Sequence, residues 1–163
     1  MINLASAHEI EKVCASLSRA WHFLSGAERQ FIFHIEPQVA LACAEFSYFM
    51  PVIVADKRTG GIGVLMQRSD AQAVAAHMFG SDVSALADTD LHDACAEACN
   101  VFSDCVALHI GGNSDIHIGL PFLAGPAEYA QIASESIPAA IYSGCSLQAP
   151  LYVVVYQFFS HAH

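Results

Sequence analysis

The chain has 163 residues, 55% of them hydrophobic and 13% charged, which suits one domain around a single core and excludes a disordered chain. Its formal net charge of −10 is unevenly held: residues 1–68 carry six acids and all six Lys and Arg, whereas residues 69–163 carry ten acids and no Lys or Arg. Such an acidic half repels nucleic-acid phosphates and anionic membrane surfaces, so neither nucleic acid nor membrane is expected as a partner.

Six cysteines (Cys14, Cys43, Cys95, Cys99, Cys105 and Cys145) form no CxxC pair, and most lie in apolar stretches, as expected of reduced thiols in a cytoplasmic protein. The first residues, MINLASAHEIEK, place charges where a signal peptide needs an apolar run. From Ser136 onward there is no charged side chain, but Gly144, Gln148 and Pro150 interrupt the stretch, which reads as a buried hairpin and not as a lipid-crossing helix.

In chain order, Ile10, Val13, Cys14, Leu17, Ala20, Trp21 and Leu24 predict a helix over Ala7–Leu24, stopped by Ser25-Gly26. A short strand follows at Phe31–Ile35, ended by Pro37. Strands are expected at Val39–Met50 and Val52–Asp56, parted by a bend or edge at Pro51, with a turn at Lys57–Gly61 and a returning strand at Ile62–Gln67. Ser69 is placed as the cap of a short helix through Phe79, which Gly80 stops. After an acidic connector, one of Asp88, Thr89 or Asp90 caps a long helix to about His109, closed by Gly111-Gly112. Alternation predicts a strand over Ser114–Pro121, then a loop or irregular helix over Phe122–Ser136, then strands Ala139–Cys145 and Leu151–Phe159. The expected fold is α+β, a largely antiparallel sheet with long helices packed on it, in one domain over residues 1–163.

The long helix carries two stripes. Leu91, Cys95, Ala98, Phe102, Cys105, Val106 and His109 form an apolar one, and Asp93, Glu97, Asn100 and Asp104 form a polar one. Glu97 and Asn100 are neighbours one turn apart. An amide both donates and accepts, so it can hold a water in line with an electrophile, and a carboxylate can fix a partner's ammonium group. Neither is a good nucleophile, which suits a helper of phosphoryl transfer to water. The same spacing also occurs on ordinary solvated helix faces. His92, Cys95 and Cys99 have a spacing open to a metal, but no further ligand pair accompanies them and Cys95 lies on the apolar stripe.

With its lead-in, this helix resembles the CheC/CheX/FliY family of chemotaxis phosphatases, and within it CheX. The family signature is an Asp or Ser, a Glu, an Asn and a later Pro, matched here by Asp93-x-x-x-Glu97-x-x-Asn100 and Pro121. The Gly-rich strand Gly60–Met66, the helix ending Met78-Phe79-Gly80 and the acidic connector fit as well. The resemblance implies a pseudo-duplicated fold and a phosphatase acting on the aspartyl phosphate of a CheY-like receiver domain. Asn100 would orient the attacking water, Glu97 would pair with the receiver's active-site lysine, and Asp93 and Pro121 would shape the site. It implies no cofactor or metal ligand in this chain, because the magnesium belongs to the receiver. It also implies a homodimer joined through sheet edges, with Leu151–Phe159 either an edge strand or a central one. Two departures from the family are visible. Asp104 stands where members often carry a small residue, and the first helix offers only Ala7, Glu11 and Cys14 in the matching register, so one site per chain is expected. The alternative is a non-catalytic member that only binds a receiver or a flagellar-motor partner.

Overall fold

A computed structural model of the chain describes residues 6–35, 39–107, 116–145 and 150–159. Helix α1 covers Ala7–Ser25, as the apolar periodicity predicts. The Glu9 carboxylate accepts the Ser6 backbone N–H at 2.9 Å to open it, and Gly26, with φ 71°, closes it. Strand β1 is Gln30–Phe33, beginning one residue and ending two residues before the expected Phe31–Ile35.

Strands β2 (Phe46–Val54) and β3 (Lys57–Met66) form a hairpin whose turn differs from the expected one. The turn falls at Ala55-Asp56, with φ of 49° and 60°, and Lys57–Gly61 belongs to the returning strand. Two consecutive left-handed residues match the right-handed twist of the strands better than a longer Gly-rich turn does, although Ala55 has no glycine freedom. Residues 39–45 of the strand predicted for Val39–Met50 are not in a strand. Pro51 does not end β2, although the pairing of β2 with β3 slips in register just after it, between Val52 and Ile53. Its carbonyl accepts the Gly119 N–H at 2.9 Å, so its missing N–H faces the gap where the outer partner of β2 changes. Gly61 pairs with Pro51 but is covered by the Phe49 ring, and a Cβ there would lie 2.0 Å from that ring.

Helix α2 runs Arg68–Phe79. Its opening differs from the expectation: the Gln67 backbone N–H donates to Asp70 at 3.0 Å, and Ser69 is already inside the helix. After a 3₁₀ turn at Val83–Ala85, helix α3 spans Asp88–Ala107. Of the three proposed caps it is Asp90 that reaches back, accepting the Ala87 N–H at 2.8 Å. His109, Gly111-Gly112, Ser114 and Asp115 lie outside the described residues.

Strands β4 (Ile116–Ile118) and β5 (Phe122–Leu123) are short, and the expected loop or irregular helix after them is instead the regular helix α4 (Pro126–Glu135). Pro126 takes the first helical position, where its missing N–H costs nothing. The final hairpin is β6 (Ser136–Cys145) and β7 (Leu151–Phe158).

The sheet is antiparallel throughout, in the order β1-β6-β7-β3-β2-β4, with β5 also on β2. Helices α1, α2 and α3 cover one face, on a core that includes Leu17, Trp21, Phe46, Ile62, Phe102 and Val153. The other face buries Phe49, Leu65, Val154 and Tyr156 with Ile132 of α4. The alternation along β7, Val153 to one core and Val154 to the other, explains why a continuous apolar run is a strand here: both of its faces are covered. Strand β7 is central. The expected α+β architecture is the observed one.

Candidate active site

The polar stripe is where the spacing puts it. At 3.6 residues per turn Asp93, Glu97, Asn100 and Asp104 fall within an arc of about 60° on α3. Asp93, Glu97 and Asp104 are exposed and Asn100 is half-buried. The opposite side buries Leu91, Ala94, Cys95, Ala98, Cys99, Phe102, Ser103 and Val106, so the core fixes which way the stripe looks. Among the described residues none of the four polar side chains has a hydrogen-bond or ion-pair partner. An amide and three carboxylates held on a rigid helix with free polar atoms can engage a partner's donors, cations and water without first breaking internal bonds.

The helix is pinned at its first turns. Arg68 of α2 bonds Asp88 at 3.0 Å and Glu45 through both Nε and Nη2, while its guanidinium lies 5.5 Å over the Phe46 ring. The Tyr48 hydroxyl and His92 Nδ1 share a 2.9 Å hydrogen bond between β2 and α3. Burial pushes the Tyr48 phenol up to about 12, with the neighbouring Asp93 carboxylate adding, so it stays protonated near neutrality. The sequence offers no signal for this link, because nothing in the spacing pairs residues 48 and 92.

His92, Cys95 and Cys99 do not form a metal site. His92 is engaged by Tyr48, both cysteines are buried, and desolvation pushes each thiol up to about 12. Among the described residues no three His, Cys, Asp or Glu side chains converge to hold a metal.

Pro121 is half-buried and stands between β4 and β5, one strand outward from β2, the strand beneath α3. The segment before it is held tightly: Gly119 donates to Pro51, and a Cβ at Gly119 would lie 2.5 Å from the Pro51 ring. Leu120 and Leu123 beside it are 85% and 45% exposed, an apolar margin that sequence periodicity did not mark. The structure thus gathers Asp93, Glu97 and Asn100 on one surface and sets Pro121 at the neighbouring sheet edge.

Away from the stripe, a groove of about 1010 Å³ lies between α1 and β1, lined by Ala7, Glu11, Cys14, Arg19, Phe33 and Ile35 among others.

No protein-family model and no curated protein matches the sequence. Solved structures do match. A chain of the CheX–CheY–BeF3–Mg²⁺ complex from Borrelia burgdorferi aligns with a TM-score of 0.64 at 15% identity, over 93% of this chain and 98% of that one. A chemotactic CheC-like protein from Shewanella oneidensis aligns with a TM-score of 0.63 at 12% identity, over 90% and 95% of the two chains. CheX from Vibrio vulnificus gives a TM-score of 0.58 at 15% identity, over 94% and 99%. At such identities the likeness is one of fold, and it agrees with the family resemblance of the motif helix. The chain has the CheC/CheX fold of chemotaxis proteins.

Proposed function

We propose that the chain is a CheX-like phosphatase that hydrolyses the aspartyl phosphate of a CheY-like receiver domain. The observation that carries this reading is the geometry of α3: Glu97 and Asn100, one turn apart, outward-facing and unbonded among the described residues, on a helix fixed by its buried face. Support also comes from the shared fold with a complex that contains CheX and CheY.

In the proposed reaction the Asn100 amide holds a water behind the phosphorus. The water oxygen attacks, the bond from phosphorus to the acyl oxygen breaks, and inorganic phosphate leaves with a free receiver carboxylate. Glu97 pairs with the receiver's lysine and fixes the two surfaces in register. Asp93 and Pro121 shape the margin. The magnesium of the reaction sits on the receiver, and the chain contributes no cofactor. Positioning of this kind contributes roughly 10²–10⁴ in rate, about 3–5 kcal/mol of barrier.

The proposal places the protein in the cytoplasm, and among the described residues no helix is long and apolar enough to cross a membrane. It includes a homodimer joined at a sheet edge, for which β1 and β4 are available and the central β7 is not. Asp104 favours one alternative, a receiver-binding module without catalysis, because its carboxylate lies one turn from Asn100. Decay of a phosphorylated receiver separates the two. Wild type is expected to accelerate the decay, Asn100→Ala and Glu97→Ala to lose roughly a hundredfold or more of that acceleration, and all three to unfold at the same temperature. Receiver binding without any acceleration would leave the binding module as the reading.

A further inference from the structure

Strand β1 is an edge strand: among the described residues it pairs with β6 on one side and with no strand on the other. The His34 N–H donates to the Ile141 carbonyl at 2.9 Å, so His34 faces β6 in this antiparallel ladder. The backbone groups of Phe31 and Phe33, one and three positions earlier, therefore point outward along the open edge. The outward Phe31 N–H is taken by the Ser18 hydroxyl of α1 at 3.1 Å. Those of Phe33 are open to the groove between β1 and α1. The chain leaves α1 at Gly26 and is back beside Ser18 by Phe31, so β1 runs antiparallel to the helix, with Ile35 toward Ile10 and Ala7.

Two opposite charges line this groove without ion-pair partners among the described residues, Glu11 toward one end and Arg19 toward the other. The further pair on its wall, His22 and Glu28, meet each other at 3.0 Å. Glu11 and Arg19 are about 12 Å apart along the helix axis, at 1.5 Å per residue. An extended chain covers about 13 Å in four residues, with its first, third and fifth side chains on one side. Between the two charges the wall is apolar, built by Ile10, Cys14 and Phe33. A groove between an edge strand and a helix takes an extended peptide as an added strand, with the backbone giving affinity and side-chain pockets giving specificity.

We infer that the α1–β1 groove binds an extended segment of a partner protein, added antiparallel to β1, with the pattern basic-x-apolar-x-acidic. The apolar residue lies opposite Phe33 and exchanges backbone hydrogen bonds with it. The basic residue meets Glu11 and the acidic one Arg19. A second copy of this chain does not offer that pattern from its sheet edges, since β1 and β4 contain no Lys, Arg, Asp or Glu. Strand β4 stays free for a dimer. The groove acts independently of the chemistry on α3.

The test titrates the full chain with acetyl-Thr-Lys-Thr-Leu-Thr-Glu-Thr-amide at about 0.05 M NaCl, reading Kd and the backbone amide signals by NMR. Two comparison peptides have Lys and Glu exchanged, or the Leu nitrogen methylated. The first peptide should shift the Phe33 amide signal and bind roughly three- to tenfold more tightly than the exchanged one. Methylation removes the donor to the Phe33 carbonyl and should weaken binding about threefold or more. In the double variant Glu11→Lys, Arg19→Glu the preference between charge orders should reverse. Both residues are exposed, so the variant is expected to unfold at the wild-type temperature, and the peptide pair tests wild type in any case. Equal affinity for the two charge orders, a preference that the double variant keeps, or no binding up to about 2 mM peptide would overturn the inference. So would a dimer, seen by light scattering, that the double variant dissociates, because the occupant would then be a second copy.

Discussion

Helices α1 and α3 lie side by side on the same face of the sheet and are almost equal in length, 19 and 20 residues. Each buries one stripe: Val13, Leu17, Ala20, Trp21 and Leu24 on α1, and Leu91, Cys95, Ala98, Phe102 and Val106 among others on α3. Their other faces diverge. On α3 the register of Asp93, Glu97 and Asn100 looks out with its polar atoms unbonded among the described residues. On α1 the same register is Ala7, Glu11 and Cys14, and these side chains line the groove against β1, with Cys14 packed partly into the core and its thiol raised by burial. A thiol is a weak donor and a weak acceptor and cannot do the work of an amide. One fold thus supplies two similar platforms, and a few surface side chains decide which of them presents an outward-facing carboxylate and amide.

The anchoring of the two platforms also differs, and removing an anchor should have the largest effect on stability. Beside α1, Arg29 pairs with Asp70 at 2.8 Å, both nearly fully buried, and its guanidinium lies 4.6 Å from the Trp21 ring centre. Arg29→Met leaves the Asp70 charge buried without that cation, so urea unfolding should show a loss of about 3–5 kcal/mol. A loss below about 1 kcal/mol would mean that α1 needs no such tie and that the contrast with α3 is superficial.

A smaller effect is expected from moving the amide. In an Asn100→Ala background, Ala7→Asp with Cys14→Asn rebuilds the motif on α1, yet Cys14 faces the groove. Receiver dephosphorylation should recover by less than about a tenth of the loss, within the ordinary range of positioning effects. Full recovery would make the two platforms equivalent and would shift the weight from placement to residue identity alone.

A pH effect, small near pH 9 and growing above it, also separates the helices. The Cys95 and Cys99 thiols inside α3 are pushed from 9.0 up to about 12 by burial, and the half-buried Cys14 thiol is raised as well. Folded thiols keep their protons where unfolded ones lose them. The unfolded state therefore binds fewer protons above about pH 9, and stability falls as pH rises from there toward 12. Unfolding midpoints measured from pH 8 upward should decline, and Cys99→Ala should flatten the decline more than Cys145→Ala, because Cys145 is exposed. Equal slopes for the two variants would contradict the burial of Cys99.

Much of the geometry of the candidate site was legible in advance because it is local. Helix periodicity and capping residues depend on neighbours three and four positions away, and they place Glu97 and Asn100 on one outward arc whatever lies beneath. The strands were harder to read. Pro51 reads as a break, yet it is tolerated because its missing donor falls in a gap between two outer strands. The Gly-rich run at Gly60–Gly63 reads partly as a turn, yet its glycines leave room for Phe49 and Tyr156 from neighbouring strands. Both facts depend on partners far away in sequence.

The sequence by itself determined the existence of α1, α2 and α3, the antiparallel α+β architecture, the direction of the polar stripe and the lack of cations after residue 68, since each follows from composition or from a local repeat. Only the tertiary structure decided that β7 is central, that Tyr48 holds His92, that Arg29 meets Asp70, and that the Cys105 thiol reaches the Ser16 carbonyl of α1. Those relations join residues dozens of positions apart, and chain folding brings them together through buried area and hydrogen-bond satisfaction, which no local spacing encodes.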